Sequence, residues 1–192
     1  MTGLLQKDIS ILRSEFYYAL ILLLVTCFVR NDFLYAFCSV YMSALPIGAL
    51  GYDERSKWHK LADMLPFTAE QLVGSKYLLG FLCTGGTTCL LTACQIGRAS
   101  FDNLSVMLLT ACTALILQSI ELPLMFWIGA EKGRLLYLLL MICSSSVLFS
   151  LKSISPLLKL HSAYLLPAVA LTAIAANLIS IKISGALYRH TK

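Results

Sequence analysis

Apolar runs alternate with short polar breaks along almost the whole chain. Runs at 16–29, 33–50, 77–96, 104–130, 135–151 and 163–181 have the length and apolar character of membrane-crossing helices. The first, fourteen residues, makes about 21 Å of helix against a hydrocarbon core of roughly 30 Å. It must extend into its flanks, with Glu15 or Arg30 reaching for headgroups, or the bilayer must thin around it. Pro46 is expected to bend the second span. Ahead of the first run, residues 1–15 place Leu5, Ile9 and Leu12 on one helical face and Lys7, Asp8 and Arg13 elsewhere. That pattern predicts an interfacial helix. A tail at 182–192 follows the last run.

One polar stretch interrupts this plan. Residues 53–76 read DERSKWHKLADMLPFTAEQLVGSK and hold four of the 15 Lys/Arg and four of the 10 Asp/Glu. Trp58, Leu61, Ala62 and Leu65 fall at i, i+3, i+4 and i+7, one face of a helix that Pro66 should stop. Thr68 and Gln71 then have capping-box spacing and predict a second helix running into the span near Tyr77. Two helices meeting at a corner outside the bilayer suit either an amphipathic segment lying on lipid or a contact for a partner.

Composition places the chain firmly. Of 192 residues, 58% are hydrophobic and 13% charged, with mean hydropathy +0.79. Soluble domains are nearer ~25% charged, so the expectation is one all-α integral membrane domain over 1–192. The N-terminus has no signal-peptide plan, its charges being mixed and no small-residue cleavage site following.

Six spans put both termini on one side. With the N-terminus, 53–76, 131–134 and the tail, that side carries 11 Lys/Arg: Lys7, Arg13, Arg55, Lys57, Lys60, Lys76, Lys132, Arg134, Lys182, Arg189 and Lys192. The other side has 4: Arg30, Arg98, Lys152 and Lys159. Positive-inside then predicts that both termini and the 53–76 segment are cytoplasmic, and the net charge of +5 reflects topology rather than nucleic-acid binding.

Candidate chemistry is sparse. The chain has no GxxxxGK[ST], HExxH or GxSxG motif, and its three histidines lie in separate polar segments. Seven cysteines sit in apolar runs without a CxxC pair, and read as packing residues rather than disulfide or metal partners. No metal or cofactor is expected in this chain. Glu121 is the one carboxylate within an apolar span, one turn from Gln118 and toward the cytoplasmic end, where interfacial water is within reach. With Ser144 and Ser145, central in the fifth run, these residues are candidates for a substrate pathway. Gly80 and Thr84 have small-xxx-small spacing and predict a close helix approach.

The DERSKW segment, the Leu-Pro-Phe-Thr that follows and the Ser-Lys-Tyr entry into the third span resemble the small permeases of bacterial type-2 ABC exporters. Pro123-Leu124 and the Gly129-Ala130-Glu131-Lys132-Gly133-Arg134 that closes the fourth span are similar to a second signature of that group, and Ser180-Ile181-Lys182-Ile183 fits as well. The resemblance runs the length of the chain. It implies a six-span subunit that pairs with a second permease, identical or different, and docks a separate ATP-binding subunit that carries ATP and Mg. It also implies that 53–65 is a coupling helix. Trp58, Leu61 and Leu65 would then be apolar anchors, Asp53, Glu54, Arg55 and Lys57 the polar rim, and Glu131, Lys132 and Arg134 a second contact. The chain would be a transport subunit, not an enzyme, exporting a hydrophobic or amphipathic peptide or drug-like molecule. Two alternatives stay open: a proton-coupled secondary carrier using Glu121, and a membrane scaffold or sensor subunit.

Overall fold

A computed structural model describes residues 2–29, 32–62, 64–65, 68–95, 101–129, 139, 142–143, 146 and 162–190. Seven helices form among them: α1 (Thr2–Ile11), α2 (Arg13–Val29), α3 (Asp32–Arg55), α4 (Trp58–Ala62), α5 (Ala69–Gln95), α6 (Phe101–Ile128) and α7 (Ser162–His190). Four are long and apolar enough to cross a membrane, over Leu34–Arg55, Ala69–Cys94, Met107–Ile128 and Pro167–Tyr188. A fifth crossing is available if α1 and α2, bent by 70° at their junction, act as one broken span. The fifth run of the sequence falls mainly outside the described residues; Leu139, Ile142, Cys143 and Ser146 within it are helical.

Helix α3 is the centre. Its span is 67% buried, against 33%, 33% and 28% for those of α5, α6 and α7. Small residues explain the close packing: Ala36, Cys38, Ser39, Ser43, Ala44 and Ala49 are all buried. Helices α2, α5 and α6 pack around α3, and α7 lies against α6 and α5. One face of α2 is left outside, with Tyr18, Ile21 and Phe28 exposed, and α7 exposes Leu171, Ile174 and Leu178. Such faces suit lipid contact, since lipid tails are as apolar as the side chains.

Several boundaries move. The second span continues to Arg55 instead of ending at 50, and helix persists to His190 through most of the expected tail. The coupling stretch is not one helix over 53–65. Asp53, Glu54 and Arg55 belong to α3. The chain breaks at Lys57, whose φ of 53° is left-handed, and α4 has ended by Ala62, before Pro66. Hydrogen bonds from Met64 N to Leu61 O and Leu65 N to Ala62 O close single turns after it. The capping box is present: Thr68 N donates to Gln71 Oε1 at 3.2 Å and Gln71 N to Thr68 Oγ1 at 3.3 Å. It starts α5, so the second predicted helix and the third span are one rod.

The lead-in helix turns Leu12 and Leu5 of its predicted apolar face to the core, but a second edge goes inward with them. Asp8 is 1% exposed while Ile9 is 47% exposed, so a charged edge of α1 faces the bundle. Glu15 does not reach outward either; its Oε2 lies 2.5 Å from where a side chain on Gly48 of α3 would begin.

Candidate functional site

The reason for α1's orientation is an ion network at one end of the bundle. Lys7 Nζ donates to Asp53 Oδ1 at 2.6 Å, and Lys76 Nζ donates to Asp53 Oδ2 at 2.6 Å and Asp8 Oδ1 at 2.7 Å. Lys7 also lies 3.2 Å from Asp8 Oδ1. Two cations and two anions thus close a ring that joins α1, the end of α3 and the start of α5. Asp8 and Lys76 are almost wholly buried and Asp53 nearly so. Such charges are tolerable only because each faces an opposite one. Lys7 caps the face of Trp58 at 4.2 Å from the ring centroid, a cation–π contact that adds α4 to the assembly.

A cavity of about 550 Å³ opens beside this ring. Its lining includes the ring residues Lys7, Asp8, Asp53 and Lys76 together with the aromatics Trp58, Phe126, Trp127 and Tyr188. Phe126 and Tyr188 meet edge to face at 6.1 Å, tying the ends of α6 and α7. Gly129 closes α6 with φ +86° while its N–H bonds Met125 O at 3.0 Å, a left-handed helix cap. A Cβ on Gly129 would come within 2.8 Å of Glu54 Oε1, so α6's end and α3's end approach closely.

A second polar feature runs into the bundle from there. Tyr77, next to Lys76, places its hydroxyl 2.5 Å from Ser180 Oγ and 2.8 Å from Ser184 Oγ. Ser180 donates to Ser119 O at 2.6 Å, which leaves Tyr77 to donate to Ser180 and Ser184 to donate to Tyr77. Asn177 Nδ2 donates to Leu115 O and Ala173 O, both at 2.9 Å. Gln118 lies against Gly80, where any Cβ would collide with its amide, and donates weakly to Tyr77 O at 3.4 Å. The Gly80/Thr84 face is therefore a close approach, but one made to receive a glutamine side chain. Glu121 lies three residues further along α6, about 4.5 Å of rise toward the ring. It is 1% exposed, and neither carboxylate oxygen has a partner among the described residues. It does not reach interfacial water as its sequence position suggested.

The sequence-derived site residues divide accordingly. Asp53 and Trp58 join the ring, with Asp53 an inward ion-pair partner rather than a rim residue. Glu54, Arg55 and Lys57 are exposed, as are Leu61 at 55% and Leu65 at 43%. Gln118 and Glu121 are buried in the seam. Glu131, Lys132, Arg134, Ser144 and Ser145 lie outside the described residues. Lys7, Asp8 and Lys76 were not singled out as site residues. Lys7 and Asp8 are neighbours in α1, but Lys76 and Asp53 come from segments far away in sequence, so local pattern did not bring them together.

The family model described as ABC-2 family transporter protein matches residues 3–189. The chain belongs to the ABC-2 transporter family. No curated protein and no solved structure matches it. It is a permease subunit of a type-2 ABC transporter, a multi-pass protein of the plasma membrane whose ATPase is a separate partner. The ring and cavity described above therefore belong to a transport subunit, and the permease works in a dimeric arrangement with an ATP-binding protein.

Proposed function

We propose that this permease moves a hydrophobic or amphipathic molecule, a peptide or drug-like compound, out of a bacterial cell, and that the α3–α4–α5 corner receives the motion of the ATPase. In this reading six spans cross the membrane, the ring end faces the cytoplasm, and a second permease completes the pathway. ATP and Mg stay on the partner.

The ring is the observation that carries the proposal. Four charges join α1, α3 and α5, and Trp58 ties α4 to Lys7 of that ring, while Leu61, Met64 (84% exposed) and Leu65 stay exposed. A stiff corner with an apolar outer face transmits a push; a free loop does not. Asp53 and Trp58 stiffen the corner from within. Leu61 and Leu65 contact the ATPase, with Glu54, Arg55 and Lys57 as the polar surround and Glu131, Lys132 and Arg134 as the second contact. Pull-down of the ATPase with Leu61→Asp protein at equal membrane levels tests this. Recovery should fall at least thirtyfold, the equivalent of ~2 kcal/mol at an interface anchor. Equal recovery with unchanged cargo-stimulated ATP turnover returns the corner to a lipid-surface role.

A proton-coupled reading draws on one observation, the Glu121 carboxyl that no donor meets. The seam around it holds amides and hydroxyls that order the helices, which favours a structural role.

A further inference from the structure

The cysteines do not all behave as isolated packing residues. All seven are free thiols, but Cys27 Sγ of α2 lies 3.4 Å from Cys94 Sγ of α5. Both residues stand near the C-terminal ends of their helices, and α5 carries Lys76 of the ion ring near its start. Cys94 is eighteen residues past Lys76, about 27 Å of helix, close to the roughly 30 Å of a hydrocarbon core. The pair therefore occupies the membrane boundary opposite the ring. Cys94 is exposed and Cys27 half-buried against Tyr35, Leu91 and Met107.

We propose that Cys27 and Cys94 form a disulfide at the outer face, bonding the first span to the third. The outward placement rests on the cytoplasmic assignment of the ring proposed above. Outside the cell a thiol pair meets oxidising chemistry; on the inner side it would be kept reduced. Cys94, the accessible thiol, attacks as thiolate the active-site disulfide of an external thiol–disulfide oxidoreductase, forming a mixed disulfide and releasing one sulfur of that enzyme. Cys27 then attacks Cys94 Sγ from its adjacent position and releases the second. Two thiols of the permease become one disulfide, and the oxidoreductase takes up the two electrons and two protons. Closing the 3.4 Å gap to a disulfide's ~2.0 Å needs an approach of about 1.4 Å. Only Ala19 and Thr26 of α2 are buried, so packing alone holds this helix weakly. The bond spans 67 residues, and a cross-link over so long a loop restricts the unfolded chain strongly.

The test is peptide mapping of protein taken from membranes without reductant, its thiols first trapped with iodoacetamide under acid. A linked Cys27–Cys94 peptide pair that disappears on reduction is expected, with five of the seven cysteines alkylated. Cys27→Ser should free Cys94 for alkylation and Cys94→Ser should free Cys27, each lowering the thermal midpoint in detergent to that of the reduced wild type. Seven alkylated cysteines overturn the disulfide. A membrane-impermeant maleimide applied after reduction separates the two readings. Labelling of Cys94 on intact cells together with seven alkylated thiols removes the disulfide and leaves the orientation. Labelling only in inverted vesicles removes both.

Discussion

Glu121 is the residue least matched to its surroundings. It is buried, carries two acceptors without donors, and sits one turn from a glutamine whose amide donates only one weak bond, to Tyr77 O, and whose Oε1 has no donor either. A buried charge without a partner costs several kcal/mol. Glu121→Gln should therefore leave assembly and export unchanged, and Glu121→Leu should raise the thermal midpoint. Transport assays in vesicles check the first, and thermal unfolding in detergent the second. Export lost in the Gln variant at normal assembly would instead make Glu121 a proton or substrate site. Gly80 makes the opposite case, a residue whose surroundings demand it. Gly80→Val drives a side chain into the Gln118 amide. Overpacking of this kind costs about 1–3 kcal/mol, and unfolding in detergent should show it. Both residues stood out in the sequence, one as a lone carboxylate and one by its spacing to Thr84. That Gly80 receives Gln118 was not legible, because spacing within one helix says nothing of which neighbour arrives.

At the scale of elements, α1 shows how a sound local reading finds one inward edge and misses another: Leu5 and Leu12 pack on the core, and Asp8 is buried beside them. Its apolar positions described an amphipathic helix, and a helix is there. Its orientation was decided by Lys76, sixty-eight residues from Asp8, because an anion and a cation entering low dielectric must do so together. Lys76→Met leaves Asp8 and Asp53 sharing, among the described residues, the cation of Lys7. A loss of ~3–5 kcal/mol is expected on removing one partner of a buried pair, measured as a drop in unfolding midpoint. Adding Asp8→Asn should recover part of it, and a double-mutant cycle reads that coupling. A midpoint unmoved by Lys76→Met would mean that the ring contributes nothing to holding α1. The capping box of Thr68 and Gln71 was fully legible, since it is made within four residues. The early end of α4 was not, since five helical residues have too few internal hydrogen bonds to set their own length. Their start follows from Lys57's left-handed turn and Trp58's contact with Lys7.

For the whole molecule the topology carries the largest consequence. With the ring end cytoplasmic, cysteines placed at 57 and 102 in a cysteine-free background should react with impermeant reagents from opposite sides, the first only in inverted vesicles. Reaction from one side would remove the six-span arrangement and the docking role of α4 with it. Class, apolar spans, the cap of α5 and membership in a permease family were all present in the order of residues. Each rests on interactions within a few turns of helix or on transfer of a whole segment to lipid, which depend on composition and period alone. Which helix is central, which face of α1 turns inward, and that Cys27 meets Cys94 were decided only by the tertiary structure. These depend on the fit of small residues along α3 and on opposite charges from distant segments meeting where water is excluded. Local periodicity carries no record of either.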